Sequence, residues 1–438
     1  MKYFVLGVFI LMYLLIIIKP NLKVFITGGV ALIVTLGLLI FANGNILEIL
    51  SKIKIDIMMM LIGIMLTFGT FADSNMPSLI ANKLMKKMPN SIMAIVVIST
   101  LSGVVSAFVD NVATVLMLAP IGLAIAKKID VSPIPVLISI AVSSNLQGAA
   151  TLVGDTTSMM LANAADMSFF DFFFFNGKFS IFWAVELGAL LTIPVIIFVF
   201  RKDNKKLLFE GDKVEVTTKA PTIILCLNLL ALVIASFFEN VRLNINLVGE
   251  SYDITAGTIC MICGIASVII YSASQKEKIM QCVKRSFDYE TVLFLIFLFL
   301  IIGIVRIVGI IDDISEIFKS LASSNLFLLF VIIVLGSVIL SAFIDNIPYV
   351  ATMLPVIAGL SSTLDANACI VLYFGLLIGA TLGGNITPVG ASANVVAIGI
   401  LEKNGYKVKS SDFFKIGIPF TLVAVLVGSI FTWLVWGM

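Results

Sequence analysis

The chain has 438 residues, of which 60% are hydrophobic and only 12% charged, with a formal net charge of +2. Its mean hydropathy is +1.15. Soluble globular chains carry about 25% charged residues, so this composition excludes an ordinary soluble domain, and so small a net charge excludes a nucleic-acid partner.

In chain order, apolar runs of roughly 17–22 residues mark spanning helices. They lie at 3–18, 24–42, 55–71 and 179–200 in the first half, and at 221–238, 254–271, 291–310 and 416–436 in the second. The run at 1–18 leads to Lys19-Pro20 and a second apolar run with no small-residue cleavage site between them, so it reads as a permanent helix. Two stretches, 91–127 and 326–361, are apolar but interrupted by an Asp-Asn pair; each is expected to be a re-entrant hairpin. Two more, 133–165 and 367–402, are interrupted by patches rich in Gly, Thr and Asn. As one helix the first of these would run about 50 Å, against a hydrocarbon core of about 30 Å. Unwinding is therefore expected near 145–157, and by the same arithmetic near 383–394.

The expected fold class is an all-α polytopic membrane protein of two inverted-topology repeats. Each repeat has five crossings, a re-entrant hairpin and a broken helix. The N-terminal repeat is set at 1–200, a cytoplasmic linker at 201–219 and the C-terminal repeat at 220–438. Most of the Lys and Arg fall on one side of this arrangement, which fixes the orientation by the excess of positive charge inside. Lys86-Lys87 and Lys127-Lys128 then bracket the first hairpin on the inner side, while Asp312, Asp313 and Asp365 flank the second outside. Surface arms are expected at 77–88 and 314–321, and the phenylalanine-rich run at 169–175 reads as an interfacial helix.

The repeat is visible in the residues. Segment 106–120, SAFVDNVATVLMLAP, aligns without a gap to 341–355, SAFIDNIPYVATMLP. The pairs Ser106/Ser341, Phe108/Phe343, Asp110/Asp345, Asn111/Asn346 and Pro120/Pro355 are identical. A shared Asp-Asn in lipid is informative because a carboxylate at mid-membrane costs several kcal/mol. Downstream, GAATLVGDT at 148–156 lies against GNITPVGAS at 384–392, with Ala391 where the first half has Asp155.

Unwound backbone at membrane depth persists only where it is buried in protein or lines a wet cavity. Two hairpin tips meeting two helix breaks therefore give a pair of pseudo-symmetric ion sites at the repeat interface. The candidate ion- or substrate-binding residues are Asp110, Asn111, Asn145, Thr151, Gly154, Asp155 and Thr156 in the first half. In the second they are Asp345, Asn346, Asn385, Thr387, Gly390, Ser392 and Asn394. Sodium ligation falls to Asn111, Thr151 and Asp155 on one side and Asn346, Thr387 and Asn394 on the other. The chain has no histidine, so proton coupling would use carboxylates, and carboxylates taken out of water exchange protons near neutrality. Asp110 and Asp345 equally suit N-capping of the returning helix, a role compatible with ion binding. Glu186 reads as either a second proton carrier or a packing partner. Arg306 is expected to pair with Asp312 or Asp313, or to snorkel. Cys260 and Cys263 read as small apolar packing. No cofactor is expected beyond Na+ or H+ as coupling ion.

These motifs resemble the ion transporter superfamily, in the branch of the ArsB arsenite permeases, NhaD sodium/proton antiporters and the melanosomal P protein, among citrate-transporter-like permeases. The resemblance rests on SAFVDN at 106–111, GAATLVGDT at 148–156, SAFIDNIP at 341–348 and GGNITPVGASANVV at 383–396, and it spans nearly the whole chain. The related divalent-anion/sodium symporters carry Ser-Asn-Thr at their hairpin tips. Asp110-Asn111-Val112 and Asp345-Asn346-Ile347 stand there instead, which argues against a dicarboxylate substrate. The resemblance implies a secondary transporter moving a small anion or metalloid with Na+ or H+. Its alternatives are a sodium/proton antiporter and, from the P-protein branch, an anion channel. An intramembrane aspartyl protease would need Gly-x-Gly-Asp where Leu152-Val153-Gly154-Asp155 stands. The expected partners are the ion or anion substrate, the lipid bilayer and a second copy through the early spans.

Overall fold

The computed structural model describes every residue except 42–43, 129, 203, 207–213, 239–241 and 248–249. The end of the second predicted span and part of the linker at 201–219 thus lie outside the described residues. The first half runs α1 (Lys2–Ile18), α2 (Lys23–Phe41), a short α3 (Ile46–Ser51), α4 (Ile55–Asp73) and the arm α5 (Met76–Met85). The hairpin α6 (Ser91–Ser106) and α7 (Asn111–Lys128) follows, then α8 (Pro133–Gly148), α9 (Thr156–Ala165) and α10 (Ile181–Val199). The second half repeats the order: α11 (Ala220–Phe237), α12 (Thr255–Gln275), α13 (Ile279–Ser286), α14 (Tyr289–Ile307) and the arm α15 (Ile310–Ser324). Its hairpin is α16 (Leu326–Ser341) and α17 (Asn346–Ala358), followed by α18 (Ala366–Leu377), α19 (Ser392–Lys403) and α20 (Ser410–Trp436). Between α18 and α19 the chain passes through a π turn at Ile378–Leu382 and a 3₁₀ turn at Gly384–Ile386.

Among the described residues nine helices reach the length and apolarity of a membrane span, α18 taken through its π and 3₁₀ turns to Ile386 and α7 included although it is a hairpin arm. The 17-residue α1 and the interrupted α8–α9 bring each half to five crossings. The packing exchanges partners between halves, as two-fold pseudosymmetry requires: α2 lies against α14, α12 against α4, and α10 against α20.

The hairpins open on opposite faces, and α10 runs between them. Beyond its C-terminal end, Lys205 bonds through its backbone carbonyl to the N–H of Ser91 at the mouth of the first hairpin (3.0 Å). The Lys205 ammonium reaches the carbonyl of Asp130 (2.8 Å), just past α7. Before the N-terminal end of α10, the carbonyl of Phe179 accepts from the Trp436 indole (2.9 Å). One turn back on α20, Trp433 meets Phe327 edge to face at the mouth of the second hairpin, with ring centroids 4.8 Å apart.

Three local expectations need correction. The run 169–175 does not form an interfacial helix. One 3₁₀ turn at Phe170–Phe172 leads into a β-hairpin, β1 (Phe174–Phe175) with β2 (Lys178–Phe179). The cause is the Asn176-Gly177 pair, both with positive φ, the chemistry of a two-residue type I′ turn. The phenylalanines form an aromatic cluster there: Phe173 lies 4.5 Å from Phe182 and Phe170 4.7 Å from Phe237. Secondly, of the two expectations for Arg306, pairing with Asp313 gives way to the ammonium of Lys2, which holds that carboxylate at 2.6 Å; the exposed Arg306 side chain leaves the other, snorkelling, standing. Thirdly, the basic face carries an unforeseen amphipathic helix, α13, the counterpart of α3. Its Arg285 bridges Asp73 (2.9 Å) and Glu277 (2.7 Å), tying the ends of α4 and α12. Those acceptors hold the guanidinium's pKa above its ordinary value. Cys260 and Cys263 are free thiols, the first buried and the second half-buried, and Cys260 lies close against Gly63 where α12 crosses α4.

Candidate functional site

The hairpin tips 107–110 and 342–345 and the breaks 149–155 and 383–391 meet inside the protein. Each tip is braced against the break of its own half by the same hydrogen bond. The Thr151 hydroxyl donates to the carbonyl of Ala107, and the Thr387 hydroxyl to that of Ala342. Thr151 and Thr387, expected as cation ligands, thus spend their protons on the scaffold of the site; their oxygen lone pairs stay on the acceptor side.

The tip aspartates both cap the returning arms. Asp110 accepts from the backbone N–H groups of Val112 (3.0 Å) and Ala113 (3.1 Å). Asp345 accepts from the N–H of Ile347 (3.2 Å) and from the Ser392 hydroxyl (3.1 Å). The fully buried Asn145 joins the two halves. It accepts from the Asn111 amide (2.9 Å) and donates to the Thr381 carbonyl (2.7 Å) and to Asn385 Oδ1 (3.1 Å). Asn385 donates in turn to the Val142 carbonyl (2.9 Å). Across the other interface the Asn346 amide donates to Asp155 Oδ2 (3.1 Å). Asn394 donates to the carbonyls of Gly384 (3.0 Å) and Thr387 (3.2 Å), and its own buried Oδ1 has no hydrogen-bond partner. An orphaned buried acceptor is costly unless something binds it, and a cation is a ligand such an oxygen accepts.

Four helices begin at this centre: α7 at Asn111, α9 at Thr156, α17 at Asn346 and α19 at Ser392. Helix α9 packs on α17 and α7 on α19, so the N-termini come in two cross-repeat pairs. The carboxylates do not divide evenly between them. Asp155 has both Asp110 and Asp345 within electrostatic reach. The sequence suggests two pseudo-symmetric sites; the buried Asp155, bonded to the Asn346 amide of the other half where the second repeat has Ala391, makes the two cross-repeat pairs unequal in charge. Glu186, by contrast, lies away from this centre. It lines a separate cavity of about 300 Å³ with Gln147, Ser143, Thr100 and Trp183.

Sequence reasoning missed four participants. Thr381 aligns with Asn145 in the internal repeat, a signal that was there to use. Ser144, which donates to the Asn111 carbonyl (3.0 Å), and Tyr13, which donates to the Pro348 carbonyl (2.8 Å), have no local signature. Lys23, whose ammonium lies 3.6 Å from Asp345 Oδ2, counted in the sequence only as one more inner-face charge.

Comparison with known proteins supports the same architecture. The citrate transporter family profile, CitMHS, matches residues 13–377. An uncharacterized transporter of Mycobacterium tuberculosis is 27% identical over 381 residues, covering 86% of each chain. The P protein of Mus musculus is 23% identical over 462 residues, covering 88% of this chain and 54% of its own. Among solved structures, the YdaH transporter of Alcanivorax borkumensis superposes with a TM-score of 0.59 at 13% identity, over 88% of this chain and 86% of that one. MtrF of Neisseria gonorrhoeae, described as an antimetabolite efflux pump, gives 0.56 at 12% identity, over 89% and 82%. At such identities the likeness speaks for the fold alone. The profile match, covering most of the sequence, is what identifies the chain as a member of the CitMHS citrate-transporter family, an integral transporter of the plasma membrane.

Proposed function

We propose that this transporter moves a small anion or metalloid coupled to Na+ or H+ by alternating access. The observation that carries the reading is the convergence of four half-helix N-termini around Asp110, Asp155 and Asp345. Helix N-termini attract anions. Three carboxylates repel them, so the anion binds well only once cations or protons have neutralised the acidic groups. Each ligand then makes the other's binding more favourable, which is the thermodynamic content of coupling. The orphaned Asn394 Oδ1 supports a cation at the second break. Citrate, the anion in the family's description, falls within the substrate class, as does arsenite.

The excess of carboxylates also favours a second reading, a sodium/proton antiporter in which the aspartates exchange ions directly. Purified protein in liposomes separates the two when sodium, proton and anion gradients are varied independently. Anion uptake driven by a cation gradient supports symport or exchange of an anion. Sodium-driven proton movement with no anion requirement supports the antiporter, and a current indifferent to gradients would replace both with a channel. The variants Asp110→Asn and Asp345→Asn isolate the ion chemistry, because Asn caps a helix about as well as Asp. Each should bring driven flux down to the level of empty liposomes while eluting as folded protein. Wild-type flux in both would reduce the aspartates to caps.

A further inference from the structure

The two hairpin tips are not equivalent, and the difference lies in one side chain from outside the hairpins and broken helices. Lys23 is the first residue of α2, an early span packed against α14. Its ammonium stands 3.6 Å from Asp345 Oδ2 and 5.0 Å from the centroid of the Phe294 ring on α14. The lysine side chain is 24% exposed and that of Asp345 15%, so the pair is largely withdrawn from water. Asp110, at the matching place on the other hairpin, has no such ion pair among the described residues. Lys23 is within electrostatic reach of Asp110 as well, opposed there by Asp288 at the start of α14. The early spans touch the second hairpin at a further polar point: the Tyr13 hydroxyl on α1 meets the Pro348 carbonyl and the Thr352 hydroxyl, both at 2.8 Å.

We propose that Lys23 is a tethered counter-ion for Asp345, occupying the second hairpin tip when no coupling cation is bound and displaced from it when one arrives. This deepens the reading above and rests on it. The geometry leaves little room for both charges. Oδ1 of Asp345 is held by the N–H of Ile347, and Oδ2 is shared by the Ser392 hydroxyl and the lysine. A coupling cation taken up at Oδ2 competes directly with the ammonium for that oxygen. The tether then opens, and with it a polar tie between early spans and hairpin. Lys23 belongs to an early span and Asp345 to a hairpin, so any displacement of one against the other makes the bridge in one arrangement and breaks it in the next. Such differential contact is what lets a ligand shift a conformational equilibrium. Lys23 is thus a positioning and selectivity residue, not a carrier of substrate.

The test uses the full chain in liposomes, with 22Na+ uptake and an enclosed pH dye followed in parallel. In Lys23→Gln, the half-saturating concentration of whichever ion carries the flux should fall about fivefold or more, the scale of a partly desolvated competing ion pair. Lys23→Arg keeps the charge and should stay near wild type, which guards against a folding defect in the first variant. An unchanged or higher half-saturating concentration in Lys23→Gln, with Asp345→Asn inactive, overturns the tether and leaves the ion site standing. Wild-type ion flux in Asp345→Asn, or no flux of either ion in wild type, overturns the site itself and the tether with it.

Discussion

Gly154 and Gly390 show how closely the two halves obey one design at the level of single atoms. A Cβ on Gly154 would lie 2.6–2.8 Å from the carbonyl oxygens of Gly148, Ala107 and Ser106. On Gly390 it would lie 2.7–2.9 Å from those of Gly384, Ser341 and Ala342. All six are backbone oxygens on braced segments, so none can swing aside as a flexible side chain does. Gly154→Ala or Gly390→Ala should therefore destabilise the fold by about 1–3 kcal/mol, the usual cost of overpacking. A drop in the thermal unfolding midpoint of the purified protein checks it, and an unchanged midpoint would show that tip and break move apart easily. The residues carrying this site were legible for a definite reason. Asp, Asn and Gly are anomalous within apolar runs, so Asp110, Asn111, Asn145, Gly154, Asp155, Asp345, Asn346, Asn385 and Gly390 stand out unaided. Their partners did not. The bond from Asn145 to Asn385 and the bridge from Lys23 to Asp345 cross most of the chain, and no periodicity encodes which polar group meets which.

Among the elements, what the sequence makes plain is length and interruption. A 16-residue α8 and a 10-residue α9 separated by Ala149–Asp155 are what a 33-residue apolar stretch becomes when it must fit a bilayer and line a site. The 16-residue arms α6 and α16, just short of a full span, suit hairpins that turn back at depth. Short surface elements were harder to read. The phenylalanine run obeyed its Asn-Gly turn and not its hydrophobicity, and α13 escaped notice because eight residues give too few turns for a clear period. The orientation of the hairpins follows from charge, and it makes an element-level prediction. Lys127 and Lys128 end α7 on the face that carries Lys205, while Asp365 caps α18 on the opposite one. With the basic face inside, a membrane-impermeant thiol reagent added to intact cells should label a cysteine at 365 and miss one at 128. The reverse pattern would turn the molecule over in the membrane.

For the whole molecule, the distribution of polar groups divides moving parts from fixed ones. The hairpins, broken helices and last span of each half hold nearly every intramembrane polar group at the site. The early spans bury mainly apolar and small hydroxyl side chains, with Asn228 the exception, and cross-pack, α2 on α14 and α4 on α12. Helix α2 also turns a row of exposed side chains away from the protein, Phe25, Leu32, Leu36 and Ile40. Such a row suits lipid or a second copy of the chain. We expect rigid movement of each hairpin and its broken helix against these early spans, the mode in which a repeat interface opens alternately to the two sides. The contact between Tyr13 and Thr352 lies on the boundary between the two parts, with hydroxyls 2.8 Å apart. Replacing both by cysteine and bridging the pair with a short, reducible bifunctional thiol reagent should fasten α1 to α17 and stop transport, with recovery on reduction. A cysteine at Leu32 that cross-links two protomers joins only fixed parts and should leave transport running. If instead the Leu32 cross-link abolished flux while the cross-link between positions 13 and 352 did not, the early spans would be the part that moves, and the hairpins the frame against which they turn.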